Sequence, residues 1–318
     1  SNTQIQFNSS GSFGASSLFT WDGAQIQING ITVGRGAGAV ATNTAVGASA
    51  LAANTTGSAN TALGYQALNS NTTNGNLTAV GVQAAYSSIT APAITAIGYQ
   101  AAYLTTGGYV TAVGQGSGRN NTTGTLTAVG YATLQSNTTG TGNSAFGGND
   151  NSVNAALQSN TTGSSNTAVG HGSLASNNTA SNNTAVGYQA GYANTTGAEN
   201  TAVGYRALPA NTTGQINTAL GVNTLGANTT GSNNTALGHS TLFSNTTGSS
   251  STAVGYQAGY STTTGDVVAV GVGAAFSVTG AVGATTAVGV YAFQYGVGAN
   301  NTAVGQLALR GVSAATST

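Results

Sequence analysis

A four-residue string, Thr-Ala-Val-Gly or a close variant, returns every 16 to 18 residues along most of this 318-residue chain. Its glycine falls at Gly47, Gly64, Gly81, Gly98, Gly114, Gly130 and Gly147, then at Gly170, Gly187, Gly204, Gly221, Gly238, Gly255, Gly271, Gly289 and Gly305. These are sixteen copies, with one gap of 23 residues between Gly147 and Gly170. A period near 17 held from residue 43 to 311 restricts the fold to a stack of similar units.

Further rows keep phase with the glycine. The residue before it is always apolar, as at Val46, Leu63, Ile97 and Val169. Four residues after it comes a second, mostly apolar row that includes Leu51, Leu68, Leu134, Leu174 and Leu225. Seven residues after it a polar Asn-Thr-Thr-Gly turn usually begins, as at residues 54–57, 137–140 and 211–214. In the long gap, Leu157 still stands three residues before Asn160, so the extra residues fall within 148–156 and should loop out.

Seventeen residues are too few for a helix-turn-helix repeat and do not fit the heptad. Several Gly, Asn and Thr per period also disfavour helix. Thr-Ala-Val suits a strand, and the glycine after it permits a bend. The period predicts an all-β chain, a parallel β-solenoid of about sixteen 17-residue coils, each with two short strands and two turns. At ~4.8 Å per coil the stack would be about 75 Å long. Side chains alternate along a strand, so Val46 and Thr44 share one face and Ala45 the other. The expectation is that the Val and Leu rows lie inside. The alanine row, including Ala45, Ala62, Ala79, Ala168, Ala185 and Ala202, would then face outward against another chain. One Val and one Leu per coil make a thin core, and a homotrimer is expected on that ground.

Residues 1–42 lack the repeat. Residues 4–7, 17–21 and 25–29 alternate in strand fashion, with Asp22-Gly23 as a turn. Residues 31–38 read as a Gly-rich joint into the solenoid, Trp21 as the residue that packs this β segment, and residues 312–318 as a tail.

Composition narrows the function. Four Arg, no Lys, three Asp and one Glu leave no net charge and no footprint for nucleic acid. With no Cys, disulfides, thiolate metal sites and cysteine nucleophiles are excluded. No run of 18 apolar residues exists, so no membrane-inserted helix is expected. The start at Ser1 and the absence of Met suggest a processed part of a longer chain, with any signal peptide absent or removed. Arg35, Arg119, Arg206 and Arg310 are the only cations, so trypsin has few sites.

Catalytic chemistry is hard to assemble from these residues. His171 and His239 both follow the repeat glycine, a slot elsewhere filled by Tyr, and lie four coils apart. Asp22, Asp150, Glu199 and Asp266 are too dispersed for paired-carboxylate work. Gly-Gly-Asn-Asp at 147–150 faintly echoes a calcium-binding β-roll turn but occurs once. Gly-Arg-Gly-Ala-Gly at 34–38 lacks the strand-then-helix context of a phosphate loop. No enzyme activity, cofactor or metal is expected. Two surface ladders stand out instead. Tyr-Gln pairs at Tyr65-Gln66, Tyr99-Gln100, Tyr188-Gln189 and Tyr256-Gln257 are candidate glycan contacts. The Thr-Thr turns form a second ladder with a weaker ice-binding reading, and the Asn-Thr-Thr strings are N-glycosylation sequons.

The string FTWDGAQIQINGITVGRGAG at residues 19–38, followed by the recurring pattern NTAVGYQAL, resembles the shaft region of bacteriophage tail fibres and related virion fibres. That resemblance implies a homotrimer with host recognition at a distal end, often made with a C-terminal self-cleaving chaperone domain. NNTAVGYQA at 182–190 is similar to head repeats of trimeric autotransporter adhesins, which form left-handed trimeric β-rolls from shorter repeats. The expected function is a structural fibre shaft on a virion surface or in an extracellular setting, partnered by itself and by fibre or virion proteins at its ends. A glycan-binding adhesin module and an extracellular filament subunit are the alternatives.

Overall fold

The computed structural model describes residues 4–9, 12–21, 26–29, 31–149, 153–263, 265–279, 284–298 and 300–311. The Asp22-Gly23 turn, Asp150, the Trp21 side chain and residues 312–318 lie outside what is described. Among the described residues the chain is all-β, its only helical piece a three-residue turn at Ala37–Ala39. The fold is a parallel β-solenoid with a repeat of about 17 residues. It divides into two compact units, Ser1–Asn143 and Ser144–Thr318.

The first unit opens with four antiparallel strands, β1 (Gln4–Ser9), β2 (Ser12–Trp21), β3 (Ile26–Ile28) and β4 (Ile31–Gly34). β4 pairs antiparallel with β5 (Thr44–Gly47), the first strand of the repeat. From β5 onward the pairing is parallel and in register, each alanine opposite the next: Ala45, Ala62, Ala79, Ala96, Ala112 and Ala128.

In the second unit the same parallel register runs from Asn143–Phe146 through Thr167–Val169 to Asn301–Val304. A separate parallel pair joins Ser277–Thr279 to Tyr295–Val297. The added residues between Gly147 and Gly170 leave the coil intact. The Ala156 N–H donates to the Gly147 carbonyl, as Ala190 does to Gly187, and Leu157 donates to Ser173 in the next coil.

Two expectations are corrected. Coils of the regular repeat contain one short strand, as at Thr61–Leu63 and Thr184–Val186, in place of two. The stretch expected to be the second strand has left-handed residues at alternate positions, such as Gln66 (φ 57°) and Leu68 (φ 50°). A strand cannot hold that conformation. Backbone bonding survives because turn amides still reach the neighbouring coil, Leu68 N–H to Ala84 O and Ser70 N–H to Tyr86 O.

The second correction concerns the faces of the strand. The alanines point inward: Ala45, Ala62, Ala79, Ala168 and Ala185 are 0 % exposed and Ala202 is 2 % exposed, within a single chain. They offer no surface to another chain. The residues before the glycine point outward, Leu220 being 44 % exposed. The leucine row is inside as expected, Leu51, Leu68, Leu134 and Leu225 being fully buried. A narrow coil explains the choice. A Cβ built at Gly191, in the leucine row, would stand 3.0 Å from Leu174 Cδ2 and 3.8 Å from Ala185 Cβ. The leucine row therefore meets the alanine row directly, and one methyl is what that space holds. Ala219→Leu is expected to destabilise the second unit by about 1–3 kcal/mol through overpacking. Thr218→Leu, on the outward face, should stay within about 0.5 kcal/mol. Chemical denaturation of the two variants checks the assignment.

Asparagine completes the interior. The first Asn of these polar turns is buried in the coil, and where the preceding turn also begins with Asn, as from Asn177 to Asn245, its Nδ2 donates to that residue's Oδ1. The distances are 2.8 Å for Asn177 to Asn160, 3.0 Å for Asn194 to Asn177 and 2.8 Å for Asn211 to Asn194. The same nitrogen donates to the carbonyl three residues on, Asn211 to Gly214 at 2.9 Å. A second row just before the strand works differently. Asn200 and Asn217 each donate their backbone N–H to Asn183 Oδ1 and Asn200 Oδ1, both at 2.9 Å. The sequons at these turns are thus ladder rungs, buried and hydrogen-bonded, and closed to glycosyl transfer in the folded coil.

Candidate functional site

With the alanines inside, the surface over the sheet and its corner is set by three positions of each coil: the Thr and Val of the strand and the residue after the glycine. The glycine is the corner between strand and turn, its φ near +130° throughout. It projects the residues on either side of it outward.

In the first unit the row after the glycine carries Tyr65, Val82, Tyr99, Gln115 and Tyr131 in successive coils. Tyr65 and Tyr99 are each 49 % exposed and Tyr131 45 %. The candidate glutamines are not free beside them. Gln83 Nε2 donates to Gln66 Oε1 at 2.9 Å, and Gln100 Nε2 donates to Gln83 Oε1 at 2.8 Å. Arg119 Nε closes the row on Gln100 Oε1 at 2.8 Å, its guanidinium 5.6 Å from the Tyr103 ring centre. Tyr103 stacks in turn on Tyr86, with ring centres 5.2 Å apart. Gln83 follows a valine, so it escapes a search for Tyr-Gln pairs. Its place in the same row of three consecutive coils is the signal that finds it.

In the second unit the corresponding tyrosines occupy adjacent coils and stack on each other. Tyr188 and Tyr205 lie 5.4 Å apart and 9° from parallel, and His239 stacks on Tyr256 at 5.5 Å. Gln189 and Gln257 take the left-handed slot after these tyrosines and are half-buried. His171 and His239 are outward residues of this row. A further aromatic row five residues after the glycine was not read from the sequence: Phe243, Tyr260 and Phe276 stack at 5.3 and 5.1 Å. Its signal is that Tyr86, Tyr103, Tyr192, Tyr260 and Phe276 each follow a Gly or Ala in the leucine row.

Glu199 and Asp266 sit at exposed turn positions with positive φ. Among the described residues no group of three or more His, Cys, Asp or Glu is placed to hold a metal ion, and no helix is long and apolar enough to cross a membrane. The distinctive chemistry lies in the outward Val/Leu row of the sheet and in the tyrosine rows beside it. The chain matches no protein-family model, no curated protein and no solved structure.

Proposed function

We propose that the chain is a structural shaft segment of a phage tail fibre or similar surface fibre, working as a homotrimer on a virion or in an extracellular setting. The observation that carries this reading is the in-register row of outward apolar residues on the parallel sheet of the second unit, Val169, Val186, Leu220, Leu237 and Val270 among them, each more than one-third exposed. A contiguous apolar strip of that kind marks an association surface. At roughly 60–80 Å² open per side chain, ten coils with their flanking Thr and Tyr offer more than the ~800 Å² per partner of a stable interface. A strip that runs from coil to coil suits a second and third copy of the same chain, which presents the same spacing and register. The resemblance of residues 19–38 and of the repeat to fibre shafts favours three copies. The absence of net charge removes long-range repulsion between them.

Light scattering on the full chain is expected to give three times the chain mass of 30.6 kDa. Leu220→Asp with Leu237→Asp should convert it to monomer, because burying unpaired carboxylates costs several kcal/mol. A full chain that is monomeric at micromolar concentration, or a double variant that stays trimeric, would overturn this reading. Open-ended polymers would make the chain a filament subunit.

A further inference from the structure

We infer that the first unit carries a binding surface for an extended, neutral β-1,4-linked polysaccharide, formed by Tyr65, Tyr99 and Tyr131 with a glutamine rail along the coils of the first two. It goes beyond a shaft role and does not rest on self-association. Parallel coils repeat at about 4.8 Å, so tyrosines in alternate coils recur at about 9.6 Å. That pitch is close to the repeat of two residues in an extended β-1,4 chain, which presents an apolar C–H face to the same side at every second sugar. Such a face stacks on an aromatic ring and leaves the equatorial hydroxyls free at the edges.

Two independent features separate this row from the other aromatics. The coils between its tyrosines carry Val82 and Gln115, so no ring of the adjacent coils in this row covers Tyr99. In the second unit Tyr188 and Tyr205 cover one another. Among the described residues, the first unit alone also sets a fixed amide row that begins at the residues following Tyr65 and Tyr99, the bonded run of Gln66, Gln83, Gln100 and Arg119. Each bonded carboxamide keeps a second N–H and a second lone pair for a sugar hydroxyl. Because the rail is already immobilised, binding costs little further side-chain entropy. The surface carries a single cation, Arg119, at one end of the rail, engaged by the neutral Gln100 and Tyr103, and no row of cations to track a polyanion. A neutral polymer matches that better than an anionic one.

The test uses the full chain with cellohexaose and chitohexaose as probes and maltohexaose, whose α-1,4 linkage curls the chain, as comparison. Binding to at least one β-1,4 probe is expected, strengthening from the disaccharide to the hexasaccharide and weaker by roughly tenfold on maltohexaose. The discriminating variant combines Val82→Tyr with Tyr99→Val. It keeps the residue types already found in this slot, and so keeps the coil, while destroying the alternate spacing. It should lose about tenfold in affinity, whereas Tyr188→Ala with Tyr205→Ala should bind as the parent does. Circular dichroism of each variant confirms the coil. Absence of binding to both β-1,4 probes, or undiminished binding by the spacing variant, would overturn the proposal.

Discussion

Asn211→Leu is expected to lower the stability of the second unit by about 2–4 kcal/mol, although leucine nearly reproduces the shape of asparagine. Asn211 Nδ2 donates to Asn194 Oδ1 at 2.8 Å and to the Gly214 carbonyl at 2.9 Å, and its own Oδ1 accepts from Asn228 at 2.9 Å. All of these groups are in the coil interior, where an orphaned acceptor costs about 1–3 kcal/mol. The substitution orphans Asn194 Oδ1, leaves the Gly214 carbonyl with Asn200 Nδ2 alone at 2.9 Å, and removes one of the two acceptors of Asn228, which retains Gly231 at 3.0 Å. Because each coil is bonded to its neighbours alone, the loss should be local. Hydrogen exchange is expected to quicken first at Thr212 and Thr229, whose amides bond Thr229 and Thr246 in the following coils. Thr213→Val, an exposed change two residues away, serves as the comparison and should be within about 0.5 kcal/mol of the parent. A loss below about 1 kcal/mol for Asn211→Leu would mean that the rungs are dispensable and that the leucine and alanine rows alone hold the coil.

What could be read from the chain beforehand follows from which properties belong to one coil and which to the stack. The period, the bend at the glycine and the buried leucine row belong to the single coil, and they were legible from spacing alone. Alternation in Thr-Ala-Val also showed that Thr and Val share a face. It could not say which face is inside, and hydrophobicity favoured the wrong one. The deciding quantity is the width of the coil, which exists only once Leu174 and Ala185 are seen converging on the same space. The asparagines misled for a related reason. Asn-Thr-Thr-Gly is turn chemistry, and turns are usually wet, yet here successive turns stack and Asn177, Asn194 and Asn211 satisfy one another. The candidate glycan residues divide in the same way. Tyr65 and Tyr99 were placed outward as expected, whereas Gln66 and Gln100 are tied into a row that depends on Gln83 in the coil between.

The corner glycines give the sharpest separation of backbone conformation from contact between coils. Gly238 (φ 135°) and Gly305 (φ 121°) lie at the same step of the repeat in the same unit, both in a region that side chains avoid. An alanine at either position should therefore lose about 1–3 kcal/mol to backbone strain. Their surroundings differ. A Cβ at Gly238 would stand 2.5 Å from the Gly255 carbonyl oxygen and 2.8 Å from its carbon, whereas one at Gly305 would meet none of the described residues within 4 Å. Relief at Gly238 requires the coils to part, which strains the bonds on either side, Gly238 N–H to Leu220 at 2.9 Å and Gly255 N–H to Leu237 at 2.8 Å. Gly238→Ala should cost at least about 2 kcal/mol more than Gly305→Ala, seen as a larger fall in melting temperature with exchange at Gly238 and Gly255. Equal losses would assign the repeat glycine to its dihedral angle alone. The expected inequality assigns it also to the spacing of the coils, since a corner without a side chain is what lets each coil settle against the carbonyl of the next.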